Sequence, residues 1–388
     1  NWLSFRLVHD SAPGQHAITL VLHVAVTLLL WRVLQAFAVP RRVATAAATL
    51  FAVHPATPDI VAYLGGRQDM LGWIIVLGAT LALRRTERRW LAAVIACVAF
   101  VAATFSREAF VIAGVLLPWV ALAPREGSRR DWARAAAAAV GCVVGLGFEL
   151  GARAAFAIGF EPSVPHSLGE RLGVFAAVLG RCVKDAIAPS DLAVDVAIFP
   201  TSPVLGVLGL VAVVGAILWT HRALRASGSL HAIALFGAFG AVGTVATHGV
   251  VALRNHSFSD RYAYPIVLSL TLWLTPLAAA AIEARREALA ESQIRRFLRV
   301  LPYLVAAVLL PATWARSRTW HDERRLQVQM YEDRPNDPNS KLAYGSLLAS
   351  EGRYREALPL CLAFVQAYPD TPHCASCVAQ SYLGRQDY

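Results

Sequence analysis

Ten largely apolar stretches follow one another along the chain, at roughly 17–37, 43–64, 68–84, 90–105, 107–123, 133–153, 203–221, 231–252, 262–282 and 297–315. About 20 apolar residues in a helix match the hydrocarbon core of a bilayer. Within that core the backbone must satisfy its own hydrogen bonds, which a helix does. The pattern therefore predicts an all-α, polytopic membrane bundle of about ten spans. The second stretch is interrupted by His54-Pro55 and Pro58, and the fourth and fifth meet at Phe105-Ser106-Arg107-Glu108. Composition agrees: 56% of the 388 residues are apolar and 16% are charged, against about 25% in an ordinary soluble domain. Such apolar content excludes intrinsic disorder. Gly 26 and Cys 6 exclude collagen-like and small disulfide-rich classes.

A net charge of +10 and a pI near 9.7 fit a nucleic-acid binder at first sight. Their distribution gives another reading. If the first stretch ends in the cytoplasm, the loops at 32–42, 84–89, 125–134, 222–225 and 283–299 share one side and hold 18 basic against six acidic residues. The opposite loops of the membrane part hold 11 of each, and the tail from Trp320 holds seven basic and nine acidic. Cytoplasmic loops collect Lys and Arg. The excess is thus an orientation signal, and no nucleic-acid partner is expected. Residues 169–188 are helical in pattern, but Arg171, Arg181, Lys184 and Asp185 interrupt them. They are placed as an amphipathic helix at the outer interface, the other reading being a polar span within the bundle.

After about residue 318 a 34-residue period sets in: Pro335 recurs as Pro369, Gly345 as Ala379, Leu348 as Tyr382 and Tyr354 as Tyr388. Gly345, Leu348, Gly352, Ala357 and Pro369 have tetratricopeptide spacing. The expected division is a membrane domain over 1–318 and a repeat solenoid over 319–388, continued beyond Tyr388. Cys374 and Cys377 share a helix face at i, i+3, which favours packing or a disulfide over metal chemistry. The tail is expected in an oxidising compartment, which permits disulfides.

The polar residues that a bundle leaves unexplained lie at the outer end of the spans. One group runs from His54 through Asp59, Arg67 and Asp69, a second is Arg107-Glu108, and a third is Arg254, His256, Asp260, Arg261, Tyr262 and Tyr264. Each admits a plain reading as ion pairs, helix caps or interfacial aromatics. Each also admits a functional one, because charges pressed among apolar residues tend to face a cavity and guanidinium forks bind phosphate bidentately. His16 and His23 lie seven apart, a spacing that favours structural hydrogen bonds over a metal. No metal is assigned, and metal dependence stays open.

These residues resemble the bacterial relatives of the endoplasmic-reticulum O-mannosyltransferases that join a membrane glycosyltransferase of the GT-C class to tetratricopeptide repeats. The matching motifs are His54-Pro55 with Asp59, Gly66-Arg67-Gln68-Asp69, Arg107-Glu108, Pro189-Ser-Asp191-Leu192-Ala-Val-Asp195, Asp260-Arg261-Tyr262-Ala263-Tyr264, and Trp320 before the repeats. Asp59 stands where the family more often has Glu, Arg107 where it has Lys, and Thr19 precedes the second matched His, His23, where the family often has Asn. The family's first span and first outer loop, which carries the usual catalytic acid, are expected upstream of Asn1.

The resemblance implies transfer of a sugar from a polyprenyl-phosphate donor to a protein Ser/Thr or other hydroxyl at the outer membrane face. It implies no cofactor, with the lipid-linked sugar as donor substrate. Asp59, Asp69 and Glu108 are the catalytic candidates. His54, Arg67, Arg107, Asp260, Arg261 and Tyr264 are the substrate-binding ones. The repeats are expected to hold an acceptor polypeptide or protein partner, on the periplasmic side of a bacterial inner membrane. Two alternatives remain: a non-enzymatic membrane-anchored repeat scaffold, and a transporter of lipid-linked sugars. A transporter favours inverted repeats among the spans, and none is visible.

Overall fold

The computed structural model describes residues 11–124, 130–156, 167–189, 196–197, 201–255, 257–285, 293–320, 322–368 and 375–385. Its described residues are nearly all helical. The membrane part begins with α1 (Ala12–Ala36), α2 (Arg41–Ala52), α3 (Thr57–Ala62) and α4 (Arg67–Arg85). It continues with α5 (Arg89–Ser106), α6 (Ala113–Leu122), α7 (Trp132–Ala155) and α8 (Leu168–Ile187). It closes with α9 (Pro203–Leu224), α10 (Gly228–Asn255), α11 (Ala263–Ala284) and α12 (Gln293–Thr319). The repeat part comprises α13 (Glu323–Asp333), α14 (Pro338–Ser350), α15 (Tyr354–Ala367) and α16 (Ala375–Arg385). A two-residue antiparallel bridge, Val196–Ala197 with Ser257–Phe258, is the exception to an all-α fold.

Among the described residues seven helices are long and apolar enough to cross a membrane: α1, α5, α7, α9, α10, α11 and the Val300–Thr319 part of α12. The chain is therefore built as a multi-pass membrane protein. The other three expected spans are shorter or more charged. The stretch at 43–64 is not one helix. α2 ends at Ala52, and the chain turns through His54-Pro55 into the six residues of α3. Proline before α3 removes a backbone donor and breaks the helical run. α4 carries Arg67 and Asp69 in its first turn and Arg84-Arg85 in its last. The fifth stretch opens as a 3₁₀ turn, Glu108–Ile112, before the ten residues of α6.

The core runs through α1, α4, α5, α6, α10 and α11, with Leu30, Trp73, Leu77, Phe100, Phe236 and Leu268 buried. Small residues let these helices approach. A Cβ on Gly237 of α10 would stand 2.4 Å from the Trp273 backbone nitrogen of α11. Several hydroxyls of these helices are satisfied locally: Thr80, Thr104 and Thr244 each donate to the carbonyl four residues earlier. By contrast α9 and α12 present Leu208, Val211, Trp219, Val308 and Trp314 outward, a face suited to lipid. α8 is amphipathic as expected. Val174, Val178 and Cys182 face inward, and the buried Asp185 pairs with Arg181 and Lys184 at 3.1 and 3.7 Å.

Arginines also lock one end of the bundle. Arg84 donates to the carbonyls of Pro124 and Ala36 at 2.8 and 3.2 Å. Buried Arg134 donates to Ala121, Ala123 and Thr86. The ends of α1, α4 and α6 and the start of α7 thus meet at one end. In the repeat part α14 packs on α15, and a Cβ on Gly345 would stand 2.9 Å from the Cys361 sulfur. Asp337 caps α14, and a disulfide joins Cys361 to Cys377 across α15 and α16. Cys374, Pro369 and Tyr388 lie outside the described residues.

Candidate functional site

At the other end of the bundle the corner between α2 and α4 forms a floor of polar side chains. The Ala56 N–H donates to His54 Nδ1 at 3.2 Å, so Nε2 carries the proton and donates to the Ala186 carbonyl at 3.1 Å. His54 thereby ties this corner to the end of α8. Thr57 donates back to the His54 carbonyl at 2.8 Å, closing the turn that Pro55 starts.

Asp59 stands in the first turn of α3 and is fully buried. It accepts from Arg316 Nε and a terminal guanidinium nitrogen of the same arginine, both at 2.7 Å, and from Trp320 Nε1 at 2.7 Å. A buried carboxylate needs such compensation for its lost water. This cluster fastens the corner to the end of α12, where the chain passes toward the repeats. Thr313 adds a bond to the Val53 carbonyl at 2.5 Å.

Asp69, in the first turn of α4, is 3% exposed and pairs with Arg107. Arg107 also lies over the Tyr262 ring, 5.1 Å from its centroid. Arg261 lies 5.3 Å from the same centroid and 4.4 Å from that of Tyr63. Tyr63 in turn neighbours Trp320 at 6.4 Å between centroids. Both guanidiniums are therefore held by aromatic faces within electrostatic reach of Asp69. His248 of α10 packs on Tyr262 from 4.2 Å and donates through Nδ1 to the Thr244 carbonyl at 2.6 Å. Arg67 is buried and donates to the Gln15 carbonyl of α1 at 2.8 Å.

Several expected residues fall elsewhere. Glu108 turns to the surface, its side chain 72% exposed, and meets Arg153 at 3.1 Å; Arg153 also holds Glu149. Tyr264 is fully buried, and its hydroxyl lies 3.1 Å from His23 Nδ1. His23 Nε2 faces the Ala52 carbonyl at 3.2 Å, so its proton sits there and Tyr264 donates to Nδ1. Both rings pack with Phe51. Asp260 belongs to a 3₁₀ turn with Arg261; its side chain, like that of Arg254, and all of His256, Asp191 and Asp195 lie outside the described residues. Among the described residues no group of three His, Cys, Asp or Glu side chains is placed to hold a metal.

Sequence reasoning missed Arg316, Gln15 and His248. Arg316 stands in the last turn of α12 four residues before Trp320, but Arg318 shares that turn, so the sequence did not single it out. Gln15 acts through its backbone carbonyl, which carries no sequence signal.

Fold and site together define a helical membrane bundle with a paired Arg/Asp mouth at one end and a helical repeat region attached. Protein O-mannosyl-transferase Tmtc1 of Drosophila melanogaster is 33% identical to this chain over 120 residues. That segment covers 29% of this chain and 14% of the relative. No family profile and no solved structure matches the chain. The relative is an animal protein, so the match lends nothing to a bacterial or periplasmic setting.

Proposed function

We propose that this chain is the working part of a membrane glycosyltransferase that moves a sugar from a polyprenyl phosphate to a protein hydroxyl, at the bundle end opposite the arginine-rich loops. The observation that supports it best is the convergence of Asp69, Arg107 and Arg261 around Tyr262 from three separate segments of chain. The partial similarity to Tmtc1 points the same way. In this reading Arg107 and Arg261 receive the donor phosphate, with Arg67 and His54 holding the floor beneath it. Asp69 accepts the proton of the acceptor hydroxyl as that oxygen bonds to the anomeric carbon. The anomeric C–O bond breaks, and its electron pair leaves on the polyprenyl phosphate, whose added charge the guanidiniums stabilise. A positioned base of this kind contributes about 10²–10⁴-fold.

Both oxygens of Asp59 are engaged by Arg316 and Trp320, and Glu108 is engaged by Arg153. Glu108 is also turned to the surface, whereas Asp69 lies beside both Arg107 and Arg261, so this reading gives proton transfer to Asp69 and positioning to Asp59. The repeats hold the acceptor polypeptide in a concave face. The test uses the full-length protein in membranes with labelled polyprenyl-phosphate mannose, the sugar that the relative's name suggests. Asp69→Asn and Arg261→Gln should each abolish transfer per folded molecule while membrane insertion is retained; Asp69→Asn, which leaves Arg107 without its carboxylate, should also lower thermal stability. Transfer at the wild-type rate in both variants would overturn the site.

A further inference from the structure

The end of the bundle away from Asp69 holds a second polar feature. A cavity of about 240 Å³ opens there between the end of α6 and the start of α10. Arg130, Arg225, His231, Trp119, Pro124 and Gly228 line it. Its walls are well braced. His231 is 3% exposed, its Nε2 lies 3.1 Å from His221 Nδ1, and the Trp119 ring meets it edge-on at 6.2 Å. Trp119 Nε1 donates to the Ala232 carbonyl at 2.8 Å.

Among the described residues the charged groups that line the cavity are positive. A helix C-terminus ordinarily presents carbonyls that repel an anion. Here the α6 carbonyls of Ala121, Ala123 and Pro124 already accept from Arg134 and Arg84. Asp131, next to Arg130 in sequence, accepts from the Arg134 N–H at the start of α7. Among the described residues no carboxylate lines the cavity, and neither Arg130 nor Arg225 makes a hydrogen bond or ion pair. Gly228 begins the 28-residue α10 on the rim, so the positive end of that helix adds to both guanidiniums.

We propose that this cavity binds a phosphate group, held by the guanidinium forks of Arg130 and Arg225 against the start of α10. Two arginine forks beside a helix N-terminus fit the tetrahedral oxygens of a phosphate monoester or diester. The buried His231 ring, paired with His221, forms part of the wall. The cavity is smaller than a pocket for drug-sized ligands, which begin at about 300 Å³, and suits a headgroup. Solvated loop arginines alone would need neither the cavity nor the buried imidazole. The phosphate has two sources, an anionic phospholipid of the adjacent leaflet or a soluble phosphate compound.

The test uses the full chain in phosphatidylcholine nanodiscs, with phosphatidylglycerol and inorganic phosphate as separate probes. Thermal unfolding and native mass spectrometry are the readouts. The expected result is stabilisation by one of the probes and a one-to-one adduct. Arg130→Gln and Arg225→Gln should each weaken binding about tenfold, the scale of one charge-assisted bond pair. Arg222→Gln, an exposed arginine outside the cavity, should bind as wild type. A phosphatidylglycerol adduct that survives excess phosphate identifies a lipid headgroup; protection by phosphate alone identifies a soluble ligand. Failure of both probes to bind, or equal binding by both cavity variants and wild type, overturns the proposal.

Discussion

Asp59 and Asp69 lie ten positions apart and are buried to nearly the same degree, yet each has an arginine from a different part of the chain. The nearer arginine, Arg67, points to α1 and donates to the Gln15 carbonyl. Burial makes each pairing strict, because a lone buried charge has no solvent to fall back on. Arg316→Met should therefore destabilise the protein by about 3–5 kcal/mol. The double variant Asp59→Leu/Arg316→Met should recover most of that loss in detergent unfolding, and a double variant no better than the single would refute the pairing as the cause. Tyr264→Phe is expected to cost about 1–3 kcal/mol, since it strands the buried His23 Nδ1. Sugar transfer per folded molecule should be unchanged, because the hydroxyl is spent in the core. A selective loss of transfer with normal unfolding would return Tyr264 to the substrate site.

Among the elements, the break at His54-Pro55 does the most to shape the mouth. It divides one apolar stretch into α2 and α3 and turns Asp59 toward α12. In the repeats, the close approach of α14 and α15 at Gly345 follows directly from the small-residue spacing read in the sequence. The disulfide partner was not readable in the same way. The CxxC spacing drew attention to Cys374 and Cys377, whereas Cys377 bonds Cys361 on the preceding helix. Closing that 16-residue separation should stabilise the repeat part by about 3 kcal/mol on chain-entropy grounds. Thermal unfolding followed by circular dichroism, with and without reductant, checks this. Cys361→Ser should match the reduced wild type, and an unchanged transition in both would show that the bond contributes nothing.

At the scale of the whole molecule, the arginine-rich loops and the Asp69 mouth occupy opposite ends. Arg84 and Arg134 gather the ends of α1, α4 and α6 at the basic end, as the alternating loop assignment requires. That assignment is checked by single-cysteine labelling in sealed cells with an impermeant maleimide. Cysteine placed at Arg88 or Arg222 should be protected, and cysteine placed at Asp322 should react. Labelling of both Arg88 and Arg222 positions from outside would reverse the orientation.

The sequence alone determined that the chain is a helical membrane bundle followed by helical repeats, because hydropathy and small-residue spacing act over one or a few turns of helix. It also marked the segments from which the mouth is built, since charges among apolar residues stand out wherever they fall. Only the tertiary structure decided which charge meets which. Arg316 lies 257 positions from Asp59 and Arg107 lies 38 from Asp69, and no local pattern records such pairings. They follow from how the helices pack, which brings distant ends into one low-dielectric space where every charge must find a partner.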